Sequence, residues 1–116
     1  MTVPGCIALI GLPGSGKTTL GRILARRLDL PFVDSDQRIE QHLGCSIRSF
    51  FEAQGEAAFR DVEAQVLHDI TGEGPCVLST GGGIVLRPEN RARLRDTCRV
   101  VYLHATPEEL MHRLRG

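Results

Sequence analysis

The chain has 116 residues, 41% hydrophobic and 24% charged, and its 14 Lys plus Arg balance its 14 Asp plus Glu for a formal net charge of zero. That length allows one domain with a modest core, and the balanced charge argues against a general binder of nucleic acid or anionic membrane. No apolar run reaches the roughly 20 residues of a membrane helix, and Met1-Thr2-Val3-Pro4-Gly5 lacks a basic segment followed by an apolar one, so no secretory leader is expected.

Cys6-Ile7-Ala8-Leu9-Ile10 reads as a β-strand. Directly after it comes Gly11-Leu12-Pro13-Gly14-Ser15-Gly16-Lys17-Thr18, the Gly-x4-Gly-Lys-Thr pattern of the Walker A phosphate-binding loop. A helix from Lys17 to about Leu28 follows, with Leu20, Ile23, Leu24 and Leu28 on one face. Strand, glycine loop and helix are the setting the pattern needs. Gly11, Gly14 and Gly16 permit tight bends that bring N–H groups onto phosphate oxygens, and the helix start adds unpaired N–H groups and a positive dipole end. Lys17, the one lysine of the chain, reaches toward β- and γ-phosphates, while the Thr18 hydroxyl suits Mg²⁺. The competing reading is an ordinary glycine-rich turn.

Pro31 to Asp34 reads as a second strand, followed by helices at about Gln37–Leu43 and Ser46–Ile70. Ser46 suits an N-cap, and Gly55 is expected to break the second stretch between an Ile47, Phe50, Phe51 cluster and a Phe59, Val62, Val66, Ile70 cluster. Thr71 to Pro75 reads as a loop, Cys76 to Ser79 as the third strand, and Gly81-Gly82-Gly83 as its exit. Pro88 opens a helix to about Arg95, Arg99 to Leu103 is the fourth strand, and Thr106-Pro107-Glu108-Glu109 carries the signals of a last helix start. Alternating β and α elements predict a parallel sheet with helices on both faces, and ligands in such sheets sit beyond the carboxyl ends of the strands. Cys6, Cys45, Cys76 and Cys98 show no Cys-x-x-Cys spacing, and His42, His68, His104 and His112 do not cluster with other ligands, so reduced cysteines and no zinc site are expected in a cytoplasmic protein.

Three further patterns lie near strand ends or on the following helix. Asp34-Ser35-Asp36 offers two carboxylates, one to hold a metal directly or through water, the other to orient or deprotonate an acceptor hydroxyl. The plainer alternative is that Asp36 only caps the next helix. In Gly55-Glu56-x-x-Phe59-Arg60-x-x-Glu63, Arg60 and Glu63 are neighbours at i,i+3, either a solvated pair or an arginine held by a carboxylate and aimed at an anionic substrate. Thr80-Gly81-Gly82-Gly83 is either a flexible turn or a place where backbone N–H groups meet a substrate closely.

Taken in order, the Walker A loop, Asp-Ser-Asp, Gly-Glu-x-x-Phe-Arg-x-x-Glu and Val77-Leu78-Ser79-Thr80-Gly-Gly-Gly-Ile84-Val85 resemble shikimate kinase, and the match extends over the whole chain. The resemblance implies a P-loop NTPase-type α/β fold and transfer of the ATP γ-phosphoryl group to the 3-hydroxyl of shikimate, on the route to aromatic amino acids. It implies that Gly14, Ser15, Gly16, Lys17, Thr18 and Thr19 wrap the ATP phosphates, and that Thr18 binds Mg²⁺ with Asp34 in support. Asp36 would hold the shikimate hydroxyls and act as base, and Arg60, steadied by Glu63, would pair with the carboxylate. The Gly82 backbone would contact a hydroxyl, with Gly81 and Gly83 beside it, and Phe51 and Phe59 would shape the pocket wall or simply pack in the core. Shikimate is then the one partner, without nucleic acid or membrane, and a monomer is expected.

The sequence departs from that family at Arg113-Leu114-Arg115-Gly116, about where its mobile lid begins. Residues 1–116 are therefore expected to be a single, C-terminally incomplete domain with four strands, without the lid, its arginine, the adenine loop or the fifth strand. Lid closure completes such sites, so efficient turnover by these residues alone is not expected. The competing functions are another small-metabolite kinase such as gluconate kinase, which the spacing from Arg60 to the triple glycine disfavours, and a non-catalytic phosphate- or nucleotide-binding module.

Overall fold

The computed structural model describes residues 5–11 and 17–103. In chain order the elements are β1 (Cys6–Gly11), α1 (Lys17–Leu28), β2 (Phe32–Asp34), α2 (Ser35–Leu43), α3 (Ile47–Gln54), α4 (Glu56–Gly72), β3 (Cys76–Thr80), a 3-10 turn (Gly82–Leu86), α5 (Pro88–Thr97) and β4 (Cys98–Leu103). Gly14, Ser15 and Gly16 of the glycine loop, and the helix expected from Thr106, lie outside the described residues.

The strands form one parallel sheet in the order β2-β3-β1-β4. Cys6 pairs with Cys76 on one side and Cys98 on the other, and Phe32 pairs with Val77. β1 is thus central, which fits its short apolar run; a strand buried on both faces has no solvated side to make polar. Alternate residues feed two cores. Cys6, Ala8, Ile10, Cys76 and Leu78 pack with Ile39, Phe59, Val66, Leu67, Ile70 and Leu94 from α2, α4 and α5. Leu9 and Val77 face the other way, against Ala25, Leu20 and Leu24 of α1. The fold class read from the sequence is therefore the one observed, with helices on both faces.

Several boundaries differ from those expectations. The buried side of α1 is made by Gly21 and Ala25, with Leu20 and Leu24 beside them, while Ile23 and Leu28 are exposed. A side chain at Gly21 would fall 2.5 Å from the Phe32 ring, so the helix lies too close to the sheet there for a larger residue. α4 continues to Gly72, into the segment expected as loop, and in this last turn the Thr71 hydroxyl donates to the Leu67 carbonyl and accepts from Arg93 Nε of α5, which ties the turn to its neighbour. Gly55 does separate α3 from α4, at φ 89°, a left-handed value that suits glycine.

Candidate active site

α2 begins at Ser35 rather than Gln37, and its N-cap is Asp34, not Asp36. Asp34 Oδ1 accepts from the Asp36 N–H at 2.9 Å and the Gln37 N–H at 3.3 Å. This corrects the capping alternative for Asp36. With the cap supplied by Asp34, the Asp36 side chain is released from that duty and sits in the first helical turn. Asp34 pairs in register with Ser79, one residue before Thr80, so both carboxylates lie beside the exit of β3. Both Asp34 and Asp36 carry residue types favoured at helix starts, and only the backbone geometry separates their duties.

Asp36 is exposed as a residue, yet the pKa of its carboxyl lies above the ordinary 3.8. Partial burial is the largest cause, and the Asp34 carboxylate adds to it; the charge of Lys17 pulls the other way. Lys17, at the start of α1, and Asp36, at the start of α2, thus share one electrostatic neighbourhood. The Thr18 and Thr19 side chains are exposed in the same first turn of α1.

Arg60 reaches this edge from α4. Its Nη1 donates to Glu63 Oε1 at 3.0 Å, and Nε lies 3.6 Å from Glu56 Oε1 without a hydrogen bond. The guanidinium carbon is 5.2 Å from the Phe59 ring centroid, within reach of a cation–π contact. Glu63 is almost fully buried, and burial raises its pKa above the ordinary 4.5 even though Arg60 lowers it; Asp36 is close enough to raise it slightly. The Arg60–Glu63 pair is therefore partly desolvated rather than a solvated surface pair. Phe59 is buried, Phe51 is 40% exposed, and their rings lie 5.8 Å apart, so Phe51 presents an open aromatic face beside a core residue.

The triple glycine leads from β3 into the 3-10 turn. Gly81 has an ordinary extended backbone, and Gly82 and Gly83 enter the 3-10 turn. A Cβ at Gly81 or Gly82 would meet nothing within 4 Å, whereas one at Gly83 would collide with the Arg60 guanidinium. That contact links β3's exit to α4 and has no signature in the sequence, because the two residues belong to different elements.

A parallel sheet with helices on both faces, whose first strand leads by a glycine loop to a helix beginning at Lys17, defines the class: a P-loop NTPase-type α/β fold. A family model described as shikimate kinase matches residues 13–116, and the chain belongs to the shikimate kinase family. It is 60% identical over 111 residues to the shikimate kinase of Paracidovorax citrulli, covering 94% of this chain and 61% of that relative. Shikimate kinase from Acinetobacter baumannii in complex with shikimate superposes with a TM-score of 0.84 at 45% identity, over 97% of this chain and 62% of that one. A gluconokinase from Sinorhizobium meliloti 1021 superposes with a TM-score of 0.52 at 20% identity, over 99% of this chain and 66% of the other, a likeness of fold alone. The chain spans about three fifths of the length of the curated relatives it matches, 61% and 60% for two of them.

Proposed function

We propose that this chain carries the phosphate-binding and acceptor-binding residues of an ATP-dependent shikimate kinase. The observation that carries the reading is the meeting of Lys17, Asp36 and Arg60 at the carboxyl edge of one parallel sheet, in a chain of that family. In the reaction the bond between the γ-phosphorus and the bridging oxygen of ATP breaks, the 3-hydroxyl oxygen of shikimate bonds to that phosphorus, and ADP leaves. The hydroxyl proton passes to the Asp36 carboxylate. Partial burial and the neighbouring Asp34 carboxylate raise its pKa, which makes Asp36 a better proton acceptor than a fully solvated aspartate.

Arg60 supplies the charge for the shikimate carboxylate. Among the described residues its Nη2 has no hydrogen-bond partner, so that corner is free for an anion, while Glu63 holds Nη1. The open space over Gly81 and Gly82 lets a ring hydroxyl approach the backbone, and Phe51 and Phe59 form an apolar wall. Gly14, Ser15, Gly16, Lys17, Thr18 and Thr19 enclose the ATP phosphates. The hard oxygen donors fit Mg²⁺: the Thr18 hydroxyl is exposed, and Asp34 spends Oδ1 on the helix cap, leaving Oδ2. Bound there with ATP, Mg²⁺ supplies charge neutralisation for the phosphates. The free cysteines support a reducing, cytoplasmic setting, and membership of the family supports action on a small molecule of the aromatic amino acid route. Among the described residues no helix is long and apolar enough to cross a membrane.

Coupled ADP release from the longest gene product carrying this sequence tests the reading, with shikimate, gluconate or no acceptor. Shikimate-dependent turnover is expected; gluconate-dependent turnover, or ADP release indifferent to acceptor, overturns it.

A further inference from the structure

We propose that Gly83 is a positioning residue for acceptor recognition: its missing side chain is the seat on which the Arg60 guanidinium rests. The inference deepens the shikimate kinase reading and rests on it. Three adjacent glycines would ordinarily share one explanation, but the geometry separates them. A Cβ at Gly83 would lie 2.5 Å from Arg60 Nη1, 2.9 Å from Nη2 and 3.0 Å from Cζ, while Gly81 and Gly82 face open space. Nor is Gly83 there for its backbone, since the described glycines with positive φ are Gly44, Gly55 and Gly74. An alanine could adopt the Gly83 conformation; what it could not do is share space with the guanidinium.

A long side chain usually yields to such a clash by swinging aside. Arg60 is held against that: Nη1 is bonded to the buried Glu63, Nε lies near Glu56, and the plane approaches the Phe59 ring. The atom a methyl group would strike first, Nη1, is the one that bonds Glu63. Displacement therefore breaks the support and turns the free Nη2 corner away from where a carboxylate would dock. Planar, bidentate recognition is sensitive to such tilts.

The test is Gly83→Ala in the longest gene product, alone and combined with Arg60→Lys, which removes the planar group. In the Arg60 background the KM for shikimate should rise about tenfold or more, with kcat within about threefold and the KM for ATP unchanged. Calorimetric titration with shikimate should show the same loss of affinity. In the Arg60→Lys background, already weak, Gly83→Ala should add less than about twofold. An unchanged KM, an equal fold-loss in both backgrounds, or loss of folding by circular dichroism in both would overturn the proposal. Failure of the parent protein to turn over shikimate would sink the functional reading instead, and is seen separately from the mutant comparison.

Discussion

Strands β1, β3 and β4 begin on cysteines, whereas Asp36, Glu63, Arg60 and Lys17 gather near the carboxyl ends of β1, β2 and β3, so a single sheet has two edges of different character. At the amino edge Cys6, Cys76 and Cys98 lie side by side in register, each at most 5% exposed. The Cys76 and Cys6 sulfurs are 3.6 Å apart, and burial pushes the Cys76 thiol up to about 12 and the Cys98 thiol to about 11. At the carboxyl edge burial also raises Asp36 and Glu63, but Lys17 and Arg60 oppose it. The same desolvation thus leaves inert neutral thiols at one edge, whereas at the other it acts on carboxyl groups that have a countercharge in reach.

That contrast can be broken most forcefully at Asp36. Asp36→Asn keeps the shape and removes the base, so phosphoryl transfer should fall by about 10²–10⁴-fold, while ATP affinity by calorimetry stays near that of the parent. Equal loss of both would make the residue structural. Lys17→Arg comes next: a broad planar cation in place of a slim ammonium should cost at least about tenfold in turnover, and near-normal rates would remove Lys17 from the phosphate site. At the opposite edge the expected damage is to stability alone. Cys76→Ser buries a hydroxyl in the place of a thiol and should cost about 1–3 kcal/mol in urea unfolding, with no change in KM for either substrate. A thiol reagent should label Cys45, the exposed cysteine, in the native protein and reach the other three only on unfolding.

The smallest effect concerns Asp36 and pH. Because the folded carboxyl binds its proton more tightly than the unfolded one, its favourable contribution is present below the ordinary 3.8 and is lost as pH rises through the folded pKa. Asp36→Asn should therefore melt slightly above the parent at pH 7, and the gain should vanish near about pH 3.5. A gain of the same size at both pH values would show that the charge is not its cause.

The order of elements was legible from the sequence because each strand is a short apolar run and each helix has a periodic face or a capping signal, as at Ser46 and Pro88. The strand order was not: nothing local states that β1 sits between β3 and β4. The end of α4 was misread because Gly72 and Thr71 look like loop residues until Arg93, from another helix, meets the Thr71 hydroxyl. At the candidate site the residue types and their spacing were readable, and the structure brings Asp36, Glu63 and Arg60 together. What was hidden were the contacts between elements, such as the Arg60 guanidinium over Gly83. The division of labour between Asp34 and Asp36 was hidden for a different reason: two neighbouring aspartates satisfy the same local rule.

The central place of β1 also has a consequence for how the chain is made. Cys6 and Cys76 are 70 residues apart, so during synthesis β1 has neither of its sheet neighbours until β3 emerges. At roughly 5–20 residues per second that wait lasts on the order of 4–14 s. Helices α1 to α4 form from local contacts far faster, while β1 remains an apolar strand with both edges unpaired and open to wrong partners. The strand that precedes the glycine loop therefore stays exposed to wrong pairing for that interval, and the rate at which residues 76–103 follow it limits when β1 gains both of its neighbours.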